Sequence, residues 1–304
     1  MSNREFQAVV VTGASTGIGK ATALELDARG FQVFAGVRRH RDGVVLSRQA
    51  SPGLKPVLLD VTDETSIAAA AEAVAAATGG KLHGLVNNAG VAVGGPLELV
   101  PIEETRKLMD VNVIGLLAVT KAFVPLLRKG RGRIVNIGSL AGLIAIPGES
   151  SYGASKFAVQ AITDSLRLEL APFGIDVTII DPGAIETAVW EKVRAQKEQM
   201  FDAAPQELMD LYAPLIEIGK RLGENPRDIL PASCVAKDVV HALSSSRPKR
   251  RYLVGLGAKK AAKLARMPIW LREWLISRFM WSGIQDHDRP DTPGFGIRNE
   301  EAKA

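Results

Sequence analysis

The sequence predicts an α/β protein: one doubly wound parallel sheet with helices on both faces, followed by a C-terminal helical extension. Three observations carry this expectation. From Ala8 to about Ile180, short runs of Val, Ile and Leu alternate with longer segments of helical periodicity. Each apolar run is nearly continuous rather than alternating, as expected of strands covered on both faces. The first run leads into a glycine-rich bend that opens the first helical segment. Such alternation implies right-handed crossovers, and hence an open sheet wrapped on both sides.

In chain order, strands are expected at Ala8–Val11, Gln32–Gly36, Lys55–Leu59, Gly84–Asn87, Arg133–Ile137 and Asp176–Ile180, with a last one at Arg251–Val254. Helices are expected at Gly17–Arg29, Glu64–Thr78, Ile102–Leu127 and Ser151–Phe173. From Glu186 to about Pro231 the pattern is a polar–apolar helical mixture. A basic, aromatic segment, Lys259–Trp281, is split at Pro268, and the tail after it, rich in Pro, Gly and charge, is expected to be loose.

Bulk properties narrow the class. The 304 residues are 46% apolar and hold no low-complexity tract, which suits one large domain with a terminal extension. No stretch reaches eighteen uninterrupted apolar residues, so a spanning helix is not expected. The N-terminus runs from a few polar residues into a strand and lacks a signal-peptide pattern. A single cysteine, Cys234, excludes an internal disulfide framework and suits a reducing, cytoplasmic setting. The four histidines are scattered without ligand spacing, so no metal site is expected. The net charge of +5 is modest, and no nucleic-acid partner is expected.

The bend after the first strand reads TGASTGIG, with Gly13, Gly17 and Gly19 in it. Glycines let the backbone approach a pyrophosphate, and the amides opening the next helix face its charge. A ligand-free turn is the alternative. The second strand runs into Val37, Arg38 and Arg39. Val37 supplies no acid for a ribose 2′-hydroxyl, whereas the planar fork of Arg38 suits a 2′-phosphate. Asp42 is a competing partner for that arginine. Farther on, Tyr152 and Lys156 lie one helical turn apart. A phenol holds its proton to about pH 10, and an ammonium beside it is expected to bring that pKa down toward the working range.

With TGASTGIG at 12–19, LDVTD at 59–63, NNAG at 87–90, VNVIG around Asn112, NIGSLAG at 136–142, YGASK at 152–156 and DPG at 181–183, the sequence resembles the short-chain dehydrogenase/reductase family. The likeness is to its compact, single-domain, Rossmann-type branch, and in particular to retinol, hydroxysteroid and hydroxybutyrate dehydrogenase-like members. The resemblance implies a catalytic tetrad of Asn112, Ser139, Tyr152 and Lys156. In it Ser139 holds the substrate oxygen and Tyr152 transfers the proton. Lys156 lowers the tyrosine pKa and bonds the nicotinamide ribose, and Asn112 interrupts its helix and links Lys156 to water. It further implies a cofactor cradle of Gly13, Ser15, Thr16, Gly17, Ile18 and Gly19, with Asp60 and Val61 at the adenine. Asn87, Ala89 and Gly90 are then expected on the adenosine side, with Pro182, Gly183, Ile185 and Thr187 around the nicotinamide.

Residues 1–258 are therefore expected to form a dinucleotide-binding catalytic domain, with a substrate lid at about 188–231 and an amphipathic extension and tail at 259–304. The expected activity is interconversion of an alcohol and a carbonyl on an apolar substrate, with NADP(H) preferred and NAD(H) the alternative. A non-catalytic dinucleotide sensor or scaffold is the second reading. The basic helix at 259–281 is expected either to pack on the protein or to touch a membrane surface. By resemblance, Ile102–Leu127 and Ser151–Phe173 pair subunits into a homodimer or homotetramer.

Overall fold

The computed structural model describes residues 7–187, 189–224 and 229–281. Strand β1 (Ala8–Val11) is buried along its whole length. It pairs in parallel with β2 (Gln32–Val37) on one side and with β4 (Gly84–Asn87) on the other. With β3 (Leu54–Leu58), β5 (Arg133–Ile137), β6 (Asp176–Pro182) and β9 (Arg251–Val254), the sheet runs β3-β2-β1-β4-β5-β6-β9, every pairing parallel. The chain reverses its direction of winding between β1 and β4, the place where open α/β sheets leave a crevice beyond the strand carboxyl ends.

Alternate residues of β1 serve opposite faces. Val9 and Val11 pack with Ala23 and Leu26 of α1 (Gly17–Ala28) and with Val235 and Val239 of α9 (Ala232–Ser244). Ala8 and Val10 pack with Ile67 and Val74 of α3 (Glu64–Thr78) and with Val119 and Phe123 of α5 (Gly115–Gly130). This two-sided burial explains the unbroken apolar runs in the sequence.

Two helices differ from expectation. The short α2 (His40–Ser47) lies in a stretch where no element is predicted; it buries only Gly43 and Leu46, too few positions to show a period. The long helix expected at Ile102–Leu127 is α4 (Ile102–Met109), one π turn at Asp110–Ile114, then α5. The combined stretch Ile102–Gly130 is long and apolar enough to cross a membrane by composition. Its apolar side, including Leu108, Leu116 and Phe123, is buried inside the protein.

After β6 the chain forms a two-residue ribbon, β7 (Ile185–Glu186) beside β8 (Leu230–Pro231). Between them lie α7 (Val189–Asp202) and α8 (Gln206–Glu224), the expected lid. Helices α10 (Gly255–Leu264) and α11 (Ile269–Trp281) follow β9, parted at Pro268. Ala188 and residues 225–228 of the expected lid, and the tail 282–304, lie outside the described residues.

Candidate active site

The glycine bend is held by the exit of β4. Thr12 Oγ1 accepts from the backbone amides of Asn88 and Ala89, each at 2.9 Å. Asn88 Nδ2 donates to the carbonyls of Thr12 (2.9 Å) and Gly13 (3.2 Å). Gly13 has φ +64°, and a Cβ there would stand 2.9 Å from Ala89 Cα, so no side chain is admitted. Helix α1 starts with Thr16 at its N-cap, no side-chain cap and no acid in the first turn. Its leading amides are therefore free to meet an anion, which suits a pyrophosphate. The methyl of Thr187 comes within 3.2 Å of where a Cβ on Gly17 would lie, so the arm after β6 reaches over the same bend. Thr12 and Asn88 escape a reading that weighs glycines alone; their signal is a hydroxyl at one strand end and an amide at the next.

At the end of β2, Asp42 pairs with Arg39 at 2.9 Å and lies 3.9 Å from Arg41. Arg38 is exposed and has no ion pair among the described residues. The competing pairing of Asp42 with Arg38 is thus not formed. Asp60 accepts from the backbone and hydroxyl of Thr62 through one oxygen, at 3.0 and 2.7 Å. The cap of α3 is Asp63, so Asp60 is not a helix cap. Asn87 turns its side chain inward: Nδ2 donates to Thr120 Oγ1 and Asn136 Oδ1, both at 2.9 Å, and Asn136 passes the chain on to Thr163. Beside it, Ala89 and Gly90 line the carboxyl edge through their backbone.

Four predicted catalytic residues converge beyond β5. Ser139 caps a short 3₁₀ turn at Leu140–Gly142, accepting from Ala141 at 3.2 Å. It also acts on the Tyr152 phenol, whose pKa it lowers. Tyr152 and Lys156 lie in the first two turns of α6 (Ser150–Leu170). Asn112 sits in the π turn, where the broken ladder frees its side chain to bridge elements. Its amide exchanges hydrogen bonds with both backbone groups of Val91, at 2.8 and 2.9 Å, and donates to Ser155 Oγ at 3.0 Å. Gly90 keeps the space between Asn112 and Lys156 open: a Cβ there would lie 3.3 Å from Asn112 Oδ1 and 3.9 Å from Lys156 Nζ.

One electrostatic expectation is corrected. Burial pushes the Tyr152 hydroxyl up to about 12; Ser139 pulls it down and Glu149 adds to the rise. The Lys156 ammonium does not offset this. It lies 5.8 Å from the tyrosine ring centre and donates to the Ile137 carbonyl at 3.0 Å. Burial draws Lys156 itself down to about 8, with Asp181 opposing. At neutral pH the site thus holds a protonated phenol beside a mostly cationic lysine.

Helices α7 and α8 are tied to the segments around Glu98 and Glu104. Gln196 of α7 donates to Glu104 at 2.6 Å, and Tyr212 of α8 donates to Glu98 at 2.9 Å. Met200 and Phe201 lie 3.6 Å from the position of a Cβ on Gly95, and Val193 is buried. Among these apolar residues stands Lys197: its side chain lies against Gly94, and its charge opposes the upward push that burial gives the Glu149 carboxyl.

The family model for short chain dehydrogenases matches residues 7–198. The chain is 36% identical to 17-beta-hydroxysteroid dehydrogenase type 6 of Bos taurus, over 91% of this chain and 90% of that one. It is 35% identical to retinol dehydrogenase 7 of Mus musculus, over 94% and 91% respectively. The solved short chain dehydrogenase of Burkholderia cenocepacia in complex with NADP superposes with a TM-score of 0.69 at 28% identity, covering 90% of this chain and 97% of that one.

Proposed function

The chain belongs to the short chain dehydrogenase family of oxidoreductases, and on that premise we propose that it interconverts an alcohol with its ketone or aldehyde using NADP(H). The observation that carries this reading is the Ser139–Tyr152 hydroxyl pair at the carboxyl edge of the sheet, with Lys156 behind it and Asn112 braced beside it. Ser139 holds the substrate oxygen. Tyr152, kept protonated, gives that oxygen its proton in reduction and takes it back in oxidation. Bound nicotinamide supplies or accepts the hydride. Asn112 and Lys156 connect the site to a source of protons.

Gly13, Ser15, Thr16, Gly17, Ile18 and Gly19 would hold the pyrophosphate, and Lys156 the nicotinamide ribose. Asp60 and Val61 would meet the adenine, and Asn87, through its main chain, Ala89 and Gly90 the adenosine side. Pro182, Gly183, Ile185 and Thr187 would enclose the nicotinamide. The unpaired Arg38 and the absence of an acid at Val37 favour NADP over NAD, and the Burkholderia relative binds NADP.

An apolar substrate of steroid or retinoid class is supported by Val193, Met200 and Phe201 and by the names of the two relatives. Ile269, Trp270, Trp274 and Phe279 of α11 are exposed next to basic residues, which supports contact with a membrane surface. Exposed Ile114, Leu117, Phe157 and Leu168 on α5, its π turn and α6 support pairing of subunits.

Fluorescence titration with NADPH and NADH, followed by turnover on a panel of steroid, retinoid and aliphatic carbonyls and alcohols, tests the reading. Tighter binding of NADPH and turnover of at least one apolar substrate are expected. Tight NADPH binding with no turnover across the panel would instead favour a non-catalytic sensor.

A further inference from the structure

Beneath the catalytic residues lies a charged cluster that the reaction described above does not use. Asp181, at the end of β6, is fully buried. Its Oδ1 accepts from Gln160 Nε2 at 2.7 Å, and Gln160 Oε1 accepts from Arg251 Nη2 at 2.6 Å. Arg251 Nε lies 3.6 Å from Asp181 Oδ2, an oxygen with no hydrogen bond among the described residues. The backbone at Ser139 lies near enough to favour the charged form of the carboxylate. It passes so close under Gly138 that a Cβ there would run into Oδ1. Gln160 is one helical turn beyond Lys156, and a Cβ on Gly142 would lie 3.2 Å from its amide nitrogen. Both flanks of Ser139 are thus kept bare, one for the carboxylate and one for its partner.

We propose that Asp181, clamped by Gln160 and Arg251 and packed under Gly138, is a positioning residue for the reaction: its carboxylate braces the turn that carries Ser139 and places a negative charge on the side of α6 that carries Lys156. A clamp that only joined β6 to α6 would need no buried charge. Lys156 is buried, donates to one backbone carbonyl among the described residues, and has Asp181 as the charge that favours its cationic form. The charged groups acting on Asp181 are Arg251 from β9 and Lys156 from α6; Gln160 and the Ser139 backbone, both neutral, also favour its charged form. Burial outweighs them and lifts the carboxyl to about 6, so protonation falls within an accessible pH range. Below it, Lys156 loses its counter-charge and the turn that carries Ser139 its brace. This inference rests on the dehydrogenase reading above.

The test pairs two measurements on the full-length protein. One is turnover from pH 5 to 8 with NADPH and a ketone that it reduces. The other is NMR titration of Lys156 in ¹³C-lysine-labelled protein, assigned by Lys156→Arg. Wild type is expected to lose turnover as pH falls through about 6. Asp181→Asn is expected to abolish that acid limb and lower kcat while leaving the KM for NADPH unchanged. In the same variant the ammonium of Lys156 is expected to give up its proton about tenfold more readily. Arg251→Met keeps the carboxylate and is expected to move the acid limb to higher pH. Asp181→Asn with its acid limb in place and its Lys156 titration unmoved would overturn the proposal. If that variant does not fold, an Arg251→Met profile identical to wild type overturns it. Wild type that turns over nothing defeats the dehydrogenase reading instead, and the Lys156 titration then decides this inference alone.

Discussion

Asn112 Nδ2 donates to Ser155 Oγ at 3.0 Å, and Ser155 Oγ donates to the Tyr152 carbonyl at 2.8 Å. The π turn and the first turn of α6 are thereby joined by one fully buried hydroxyl. Ser155 belongs to the YGASK run, yet its role is invisible there, because its partner is 43 residues upstream.

Ser155→Ala is expected to remove this joint and leave one Asn112 donor bond unmade. A buried donor without its acceptor costs about 1–3 kcal/mol. The expected result is a lower melting temperature and reduced kcat with little change in cofactor affinity. Calorimetry and steady-state kinetics on the same preparation check both.

Tyr152→Phe keeps the ring and its packing and removes only the hydroxyl group that transfers the proton. Turnover is expected to fall about 10²–10⁴-fold, the usual contribution of a positioned general acid. NADPH affinity, read by fluorescence titration, is expected to stay within a few-fold. Near-normal turnover would remove Tyr152 from the chemistry.

Arg38→Asp replaces an unpaired guanidinium with an acid of the kind that suits a ribose 2′-hydroxyl. A charge-assisted hydrogen bond contributes about 1.5–3 kcal/mol, so the ratio of NADPH to NADH affinity is expected to fall about 10–100-fold. An unchanged ratio would mean that the 2′-phosphate is held elsewhere. The pairing of Asp42 with Arg39 rather than Arg38 is what makes this test clean.

Stability should carry the mark of Asp181. Its folded carboxyl sits near 6, above the ordinary 3.8, so the fold binds this proton more readily than the unfolded chain does. The group's contribution is thus fully favourable below the unfolded value and is lost as pH rises through about 6, a change of order 3 kcal/mol. Asp181→Asn mimics the protonated acid and lacks that slope. Between pH 5 and 7, melting curves of the two proteins are expected to diverge in favour of the variant. Parallel curves would show that the carboxyl does not titrate in this range.

Sequence alone was enough for most of the sheet, because a strand covered on both faces is apolar along most of its length. Ala8–Val11 and Gly84–Asn87 could therefore be bounded with no knowledge of their neighbours. The order of the glycine bend, the Asn112, Ser139, Tyr152 and Lys156 segments and the DPG run was likewise enough to place the family, since these are local strings. Short α2 was not legible, for it buries too little to leave a period.

What only the tertiary structure decided is electrostatic and long-range. Tyr152 and Lys156 are four residues apart, yet whether the ammonium serves the phenol depends on the Ile137 carbonyl that claims it and on how deeply both are buried. The Asp181–Gln160–Arg251 cluster joins β6, α6 and β9, and no local pattern marks it. Periodicity records which face of an element meets the core. The pKa of a buried group depends on which charges the fold brings near it and how much water it removes, and both emerge only when distant segments pack.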